Sequence, residues 1–121
     1  MLQPRSIVLV ADNTGAKQVG IFKVLGGTRR RYAQIGDIVV VSVKSAEPRK
    51  AVKKKDILKA VVVRQRAPWR RADGTVLRFD ENAVVILDGT EPKGGRIFGP
   101  IPREIKDRGF QTIASLAEEL V

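Results

Sequence analysis

The sequence predicts a mostly β fold: a small closed or half-closed barrel of four or five strands, a basic β-hairpin projecting from it, and two short C-terminal helices. Three observations predict it. Short β-branched runs recur between turn residues, at Ile7 to Val10, Ile38 to Val43, Ala60 to Val63 and Ala83 to Leu87. Between the last two runs, Arg64, Arg66, Arg70 and Arg71 surround Asp73-Gly74, the sharpest turn signal in the chain. Helical spacing enters only after Pro102.

Taken in order, Ser6 to Ala11 reads as the first strand, closed by Asp12-Asn13-Thr14-Gly15, where short polar side chains bond local backbone. Gln18 to Leu25 reads as the second, with Val19, Ile21 and Phe22 as apolar bulk and Lys23 on the wet face. Gly26-Gly27-Thr28 ends it, and Arg29, Arg30 and Arg31 follow on a loop. Three adjacent guanidinium groups repel one another unless a negative partner is near, which makes them contact candidates. Gly36-Asp37 opens a third strand, whose near-continuous apolar run implies burial on both faces or a barrel wall packed outside as well as inside.

The connection after it holds Arg49, Lys50, Lys53, Lys54 and Lys55 before Asp56, too charged for a core helix and suited to a solvated or RNA-facing loop. After the hairpin and the Ala83 strand, Asp88 to Gly95 is turn chemistry, and Arg96 to Pro100 makes a short extended piece. Pro102 opens a helix through Arg108, ended by Gly109. Ser115-Leu116-Ala117-Glu118 matches a capping box, with Ile113, Leu116, Ala117 and Leu120 as one apolar stripe. The whole reads as one domain over 1–121, barrel to about residue 100 and a small helical part beyond.

Charge narrows the function. The chain of 121 residues carries a net +10, without Cys or His. Residues 29–71 hold fourteen basic against three acidic groups, a net +11, while residues 72–121 hold six against nine, a net −3. Segregation of this kind is the electrostatic footprint of a nucleic-acid binder. Disulfides, thiol nucleophiles, imidazole bases and most zinc sites are removed by composition. The sequence has no long apolar span, and its first residues lack a signal-peptide core, so a cytoplasmic or organelle-interior setting is expected.

No catalytic, metal or cofactor site is expected. Asp80-Glu81 is the nearest carboxylate pair, but adjacent strand residues face opposite ways and a charged turn explains them. The Gly-Gly pairs lack phosphate-loop spacing. For RNA, Arg dominates, and its planar fork suits phosphate oxygens. Trp69, between Pro68 and Arg70, fits two uses: stacking on an unpaired base or packing back on a strand or partner. Phe79 reads as core. Without a recognition helix or paired aromatic motif, contact by shape and phosphate is expected over base reading.

The chain resembles the universal ribosomal protein L14 family of the large subunit, in its bacterial or organellar form. The resemblance is carried by Ala60-Val61-Val62-Val63, Asp73-Gly74, Phe79, Asn82 and Val85-Ile86, by Ala11 to Ala16, Val24 to Gly27, Arg30 to Ala33 and Gly36-Asp37, and by Arg96 to Pro100, Arg103-Glu104 and Ser115 to Ala117. These pieces run in order along essentially the whole chain. The chain departs from the family pattern at Lys50 and Lys55, where glycine is usual, and at Gly95, Thr112 and Glu118, where Thr, Lys and Pro are common.

The resemblance implies a five-stranded barrel with a ribbon and a small helical end, bound to large-subunit rRNA; the basic pattern of the sequence assigns that contact to Arg29, Arg30, Arg31, Arg49, Lys50, Lys53, Lys54, Lys55, Arg64, Arg66, Trp69, Arg70 and Arg71. It also implies ribosomal proteins L3 and L19 as neighbours, bridges to small-subunit rRNA, and an exposed patch at Gly95, Arg96, Arg103 and Thr112 where a ribosome-silencing factor docks. The acidic end, residues 72–121, is expected to face that interface. A second class of function fits the residues too: a small basic barrel that docks protein partners in another complex. Salt dependence of RNA binding separates the two.

Overall fold

The structure, a computed structural model, describes residues 2–26, 32–48 and 52–121. The barrel comprises β1 (Ile7–Val10), β2 (Ala16–Val24), β3 (Ile38–Ala46), β4 (Ile57–Arg64) and a fifth strand after the hairpin. The hairpin strands are β5 (Trp69–Arg70) and β6 (Val76–Leu77); β7 (Ala83–Asp88) is the fifth barrel strand. Neighbours pair antiparallel in the order β1-β2-β3-β4-β7, and β7 then pairs parallel with β1 through Leu9–Ala83 and Val10–Val84. That last ladder closes the barrel and leaves it without a free edge. The five-stranded barrel, the basic hairpin and two short C-terminal helices are all present.

Burial explains the two kinds of strand. In β3 the buried Val39, Val41 and Val43 alternate with half-buried neighbours, as a wall with one wet face requires. In β4 and β7, five residues in succession are buried, Ala60 to Arg64 and Ala83 to Leu87. The continuous apolar reading of β3 is thus corrected to alternation, and the doubly covered strands are β4 and β7. The C-terminal segment adds Ile97, Ile101, Ile105 and Ile113 to the same core cluster, all 0% exposed.

This segment forms an annex. β8 (Glu91–Pro92) returns antiparallel on β7, then β9 (Ile97–Ile101), α1 (Glu104–Asp107), α2 (Gln111–Leu116) and β10 (Ala117–Leu120) follow. Gly109, at φ +94°, ends α1 as expected. The Ser115–Glu118 capping box is overturned: residues 117–120 form a strand parallel to β9. Ser115 Oγ instead donates to Thr112 O (2.8 Å), and Glu118 Oε2 accepts from Gly99 N (3.1 Å). Phe22, read as apolar bulk, stands exposed on the outer wall.

Candidate nucleic-acid interface

The hairpin is built as the sequence demands. Trp69 pairs with Leu77 and Arg70 with Val76, and Asp73 Oδ1 accepts from Thr75 N (3.0 Å) and Thr75 Oγ1 (2.7 Å) to brace the turn. Gly74 takes φ +91°, a conformation only glycine adopts without strain. At the hairpin base, Asn82 Oδ1 accepts from Arg66 N (2.8 Å), and Phe79 N donates to Gln65 O (3.1 Å). Gln65 is buried, its Oε1 accepting from Ile35 N (3.2 Å) and its Nε2 donating to Ala67 O (3.1 Å). These polar anchors fix where the hairpin leaves the barrel.

The four hairpin arginines divide into two pairs. Arg66 and Arg70 are exposed. Arg64 and Arg71 turn inward. Arg64 is 6% exposed; its Nη1 donates to Phe98 O (3.1 Å) and its Nη2 lies 3.4 Å from Glu81 Oε1. Burial lowers its pKa from the ordinary guanidinium value, opposed by the Glu81 charge. Arg71 Nε sits 2.8 Å from Glu104 Oε2, and its Nη2 donates to Val121 O. Arg64 and Arg71, named with Arg66 and Arg70 as RNA contacts, thus also have partners within the protein and fasten hairpin and barrel to the annex. Trp69 is half-buried and packs against the core, so its ring is used at least partly inside.

The other basic candidates lie elsewhere. Lys53, Lys54 and Lys55 are exposed on the turn before β4, whereas the hairpin follows it, so eight strand residues, roughly 26 Å, separate the groups. Arg29, Arg30, Arg31, Arg49 and Lys50 lie outside the described residues. Gly95 and Arg96 are joined to the lysine end: Asn13 Oδ1 accepts from both amides (3.0 and 3.2 Å), and Val52 N donates to Thr14 O (3.3 Å). Arg103 instead lies with Arg71, Ala72 and Asp73 around a hollow at the hairpin turn. Thr112 is exposed on α2. The four residues of the expected patch therefore divide, with β9 running between Arg96 and Arg103.

Asp12 and Asn13, expected only to close a local turn, do more. The buried Asp12 carboxylate also reaches across the barrel end: Oδ1 accepts from Thr14 N and Oγ1 (3.2 and 2.7 Å), and Oδ2 from Ile86 N (2.8 Å). Burial raises its pKa although these donors pull it down. An Asp-Asn pair closing the first strand was the signal, but its distant acceptor duty was not visible. The three ion pairs among the described residues, including Arg108–Asp37 at 3.7 Å, each join residues 29–71 to residues 72–121, so charge segregated along the chain is partly rejoined in space.

Among the described residues no group of three or more His, Cys, Asp or Glu is placed to hold a metal ion, and no helix is long and apolar enough to cross a membrane. What the site offers chemically is fixed positive charge on a rigid frame. The family model described as Ribosomal protein L14p/L23e matches residues 1–121, the whole of the chain, and the chain belongs to that family.

Proposed function

We propose that, as a member of this ribosomal protein family, the chain is a structural constituent of the large ribosomal subunit that grips large-subunit rRNA by its backbone. The observation that carries the reading is the division of the hairpin arginines: Arg64 and Arg71 hold the frame, which leaves Arg66 and Arg70 exposed and rigidly presented. Lys53, Lys54 and Lys55 give a second grip at the other end of β4, Arg49 and Lys50 stand just before them in the sequence, and Arg29, Arg30 and Arg31 add three further cations. Two grips on one barrel suit an RNA that wraps the protein, or two helices bridged by it. The mixed-charge annex faces ribosomal proteins L3 and L19 and the small-subunit rRNA, and the Gly95–Arg96 corner is where a ribosome-silencing factor docks. The setting is the ribosome of a cytoplasm or organelle.

The test is a double variant, Arg66→Gln with Arg70→Gln, titrated with large-subunit rRNA across salt. Each lost phosphate contact lowers the slope of log affinity against log salt by about 0.9, so the pair lowers it by roughly two units. An unchanged slope would assign both side chains to solvent and return the chain to the protein-docking class.

A further inference from the structure

The outer wall of β1, β2 and β3 carries a feature that neither grip uses. One cross-strand row reads Ile7, Gly20, Ser42, Ile57, set by the registers Ile7–Gly20, Gly20–Ser42 and Ser42–Ile57. Its ends are 62% and 65% exposed, while its centre holds the two smallest side chains. Four strands at about 4.8 Å spacing make a trough roughly 14 Å across. Beside it stands Phe22, 67% exposed.

Phe22 is aimed there by a defect in the ladder. Ile21 faces Val41 and Lys23 faces Val40, so Phe22 is the extra residue of a β-bulge. A regular strand would send positions 21 and 23 inward and only 22 outward; the bulge sends Phe22 and Lys23 out together. Gly20 completes the arrangement, since a Cβ there would meet Lys44 Cε at 3.0 Å. Without one, the Lys44 stem lies over Gly20, and Lys44 lines the same hollow as Phe22. The hollow, about 260 Å³, is lined by Ile7, Phe22, Arg5 and Lys44 among others, and by no carboxylate among the described residues. Ile7 also borders the next hollow, which exposed Arg66 lines together with Asp80 and Glu81, the latter already paired with Arg64.

We propose that this trough is a single-stranded RNA subsite, in which an unpaired base stacks on Phe22 and its flanking phosphates meet Arg5 and Lys44. It deepens the rRNA reading above and rests on it. Charge decides the occupant: among the described residues the ionic groups that line the hollow are both cationic, which matches phosphate, and an exposed ring in the same hollow accepts any base face. An apolar protein segment would leave Arg5 and Lys44 without partners.

The experiment uses the full chain and two probes, a mixed-sequence single-stranded RNA of about twelve nucleotides and its duplex. Phe22→Leu keeps the apolar bulk and removes the ring. It should bind the single strand roughly 5- to 100-fold more weakly, bind the duplex unchanged, and melt as the parent does. Phe22→Trp should retain single-strand affinity. Full single-strand affinity in Phe22→Leu overturns the proposal and leaves the row to a protein partner; an equal loss on the duplex overturns it as well, because a paired base cannot stack on the ring. The two readings fail separately. A normal Phe22→Leu with a reduced salt slope in the Arg66/Arg70 variant sinks only the subsite, whereas a parent chain that binds neither probe nor rRNA sinks both.

Discussion

The barrel and the annex are held by different physics. The barrel is a closed ladder of β-branched side chains, in which each strand has partners on both sides and no charge is needed to keep it shut. The annex has a two-stranded parallel sheet, two helices of four and six residues, and a few isoleucines that reach the common core. Helices that short do not stand alone. The annex is held by those isoleucines, by backbone bonds such as Phe98 N to Ala11 O (2.7 Å), and by Arg64 and Arg71, two buried or half-buried cations that cross to it from barrel and hairpin. A fold can thus spend part of a basic surface on its own assembly, and a count of arginines overstates what is left for RNA.

The largest effect should come from breaking the barrel itself. Val62 is 0% exposed in the middle of β4, its amide donating to Asp37 O (3.0 Å) and its carbonyl accepting from Gly36 N (2.8 Å). Val62→Asp buries a charge with no partner and should cost more than about 4 kcal/mol, close to the whole stability of a small domain. A urea melt measures it. A loss under about 1 kcal/mol would mean that the wall is not the part that holds.

A smaller effect is expected from unfastening the annex. Gly99 lies in β9 at φ +79°, and a Cβ there would overlap Arg64 Nη1. Gly99→Ala is therefore strained in its backbone and also drives the Arg64 guanidinium from its seat on Phe98 O. The expected cost is about 2 to 4 kcal/mol, combining positive-φ strain with a disturbed buried charge. Proton exchange should show the difference in kind: amides of β9 and β10 lose protection while those of β4 and β7 keep theirs. Uniform loss across both regions would show that annex and barrel are one cooperative unit.

The same contrast explains what the sequence made legible. Barrel strands are written in local pattern, so β1, β3, β4 and β7 fall where their β-branched runs stand, as do Asp73-Gly74 in the hairpin turn and Gly109 at the end of α1. Annex features depend on partners far along the chain. Ser115 to Glu118 satisfies a local helix-start pattern, but the pairing of β10 with β9 and the bond from Gly99 N to Glu118 claim those residues first. Likewise nothing beside Arg64 or Arg71 announces Phe98 O, Glu104 or Val121 O as their acceptors. The Phe22 bulge was hidden for another reason: an insertion in a ladder shows only when the opposite strand is known.

The smallest effect lies at the barrel rim, where the wall tolerates a residue that local rules forbid. Lys55 holds φ +75°, in the left-handed region that costs a side-chain-bearing residue about 1 to 2 kcal/mol. Its turn is clamped on both sides: Lys53 N donates to Asp56 Oδ2 (3.0 Å), Asp56 N to Lys53 O (3.2 Å), and Lys55 N to Val43 O (2.9 Å). Strain of this kind persists only where surrounding structure over-determines the backbone, and here β3 and β4 do so. Lys55→Gly relieves the strain but adds freedom to the unfolded chain, worth about 0.5 to 1 kcal/mol the other way. The net should be a gain below about 1 kcal/mol. Lys55→Asn, which tolerates the same conformation, should also stabilise while keeping a side chain. Both remove one charge from the lysine grip, so each should reduce the salt slope of rRNA binding by at most about one unit. The two readouts then move in opposite directions, stability up and RNA affinity down. A variant that loses stability would show that the wall does not impose this turn. Gained stability with an unaltered slope would show that the strained lysine is not kept for phosphate.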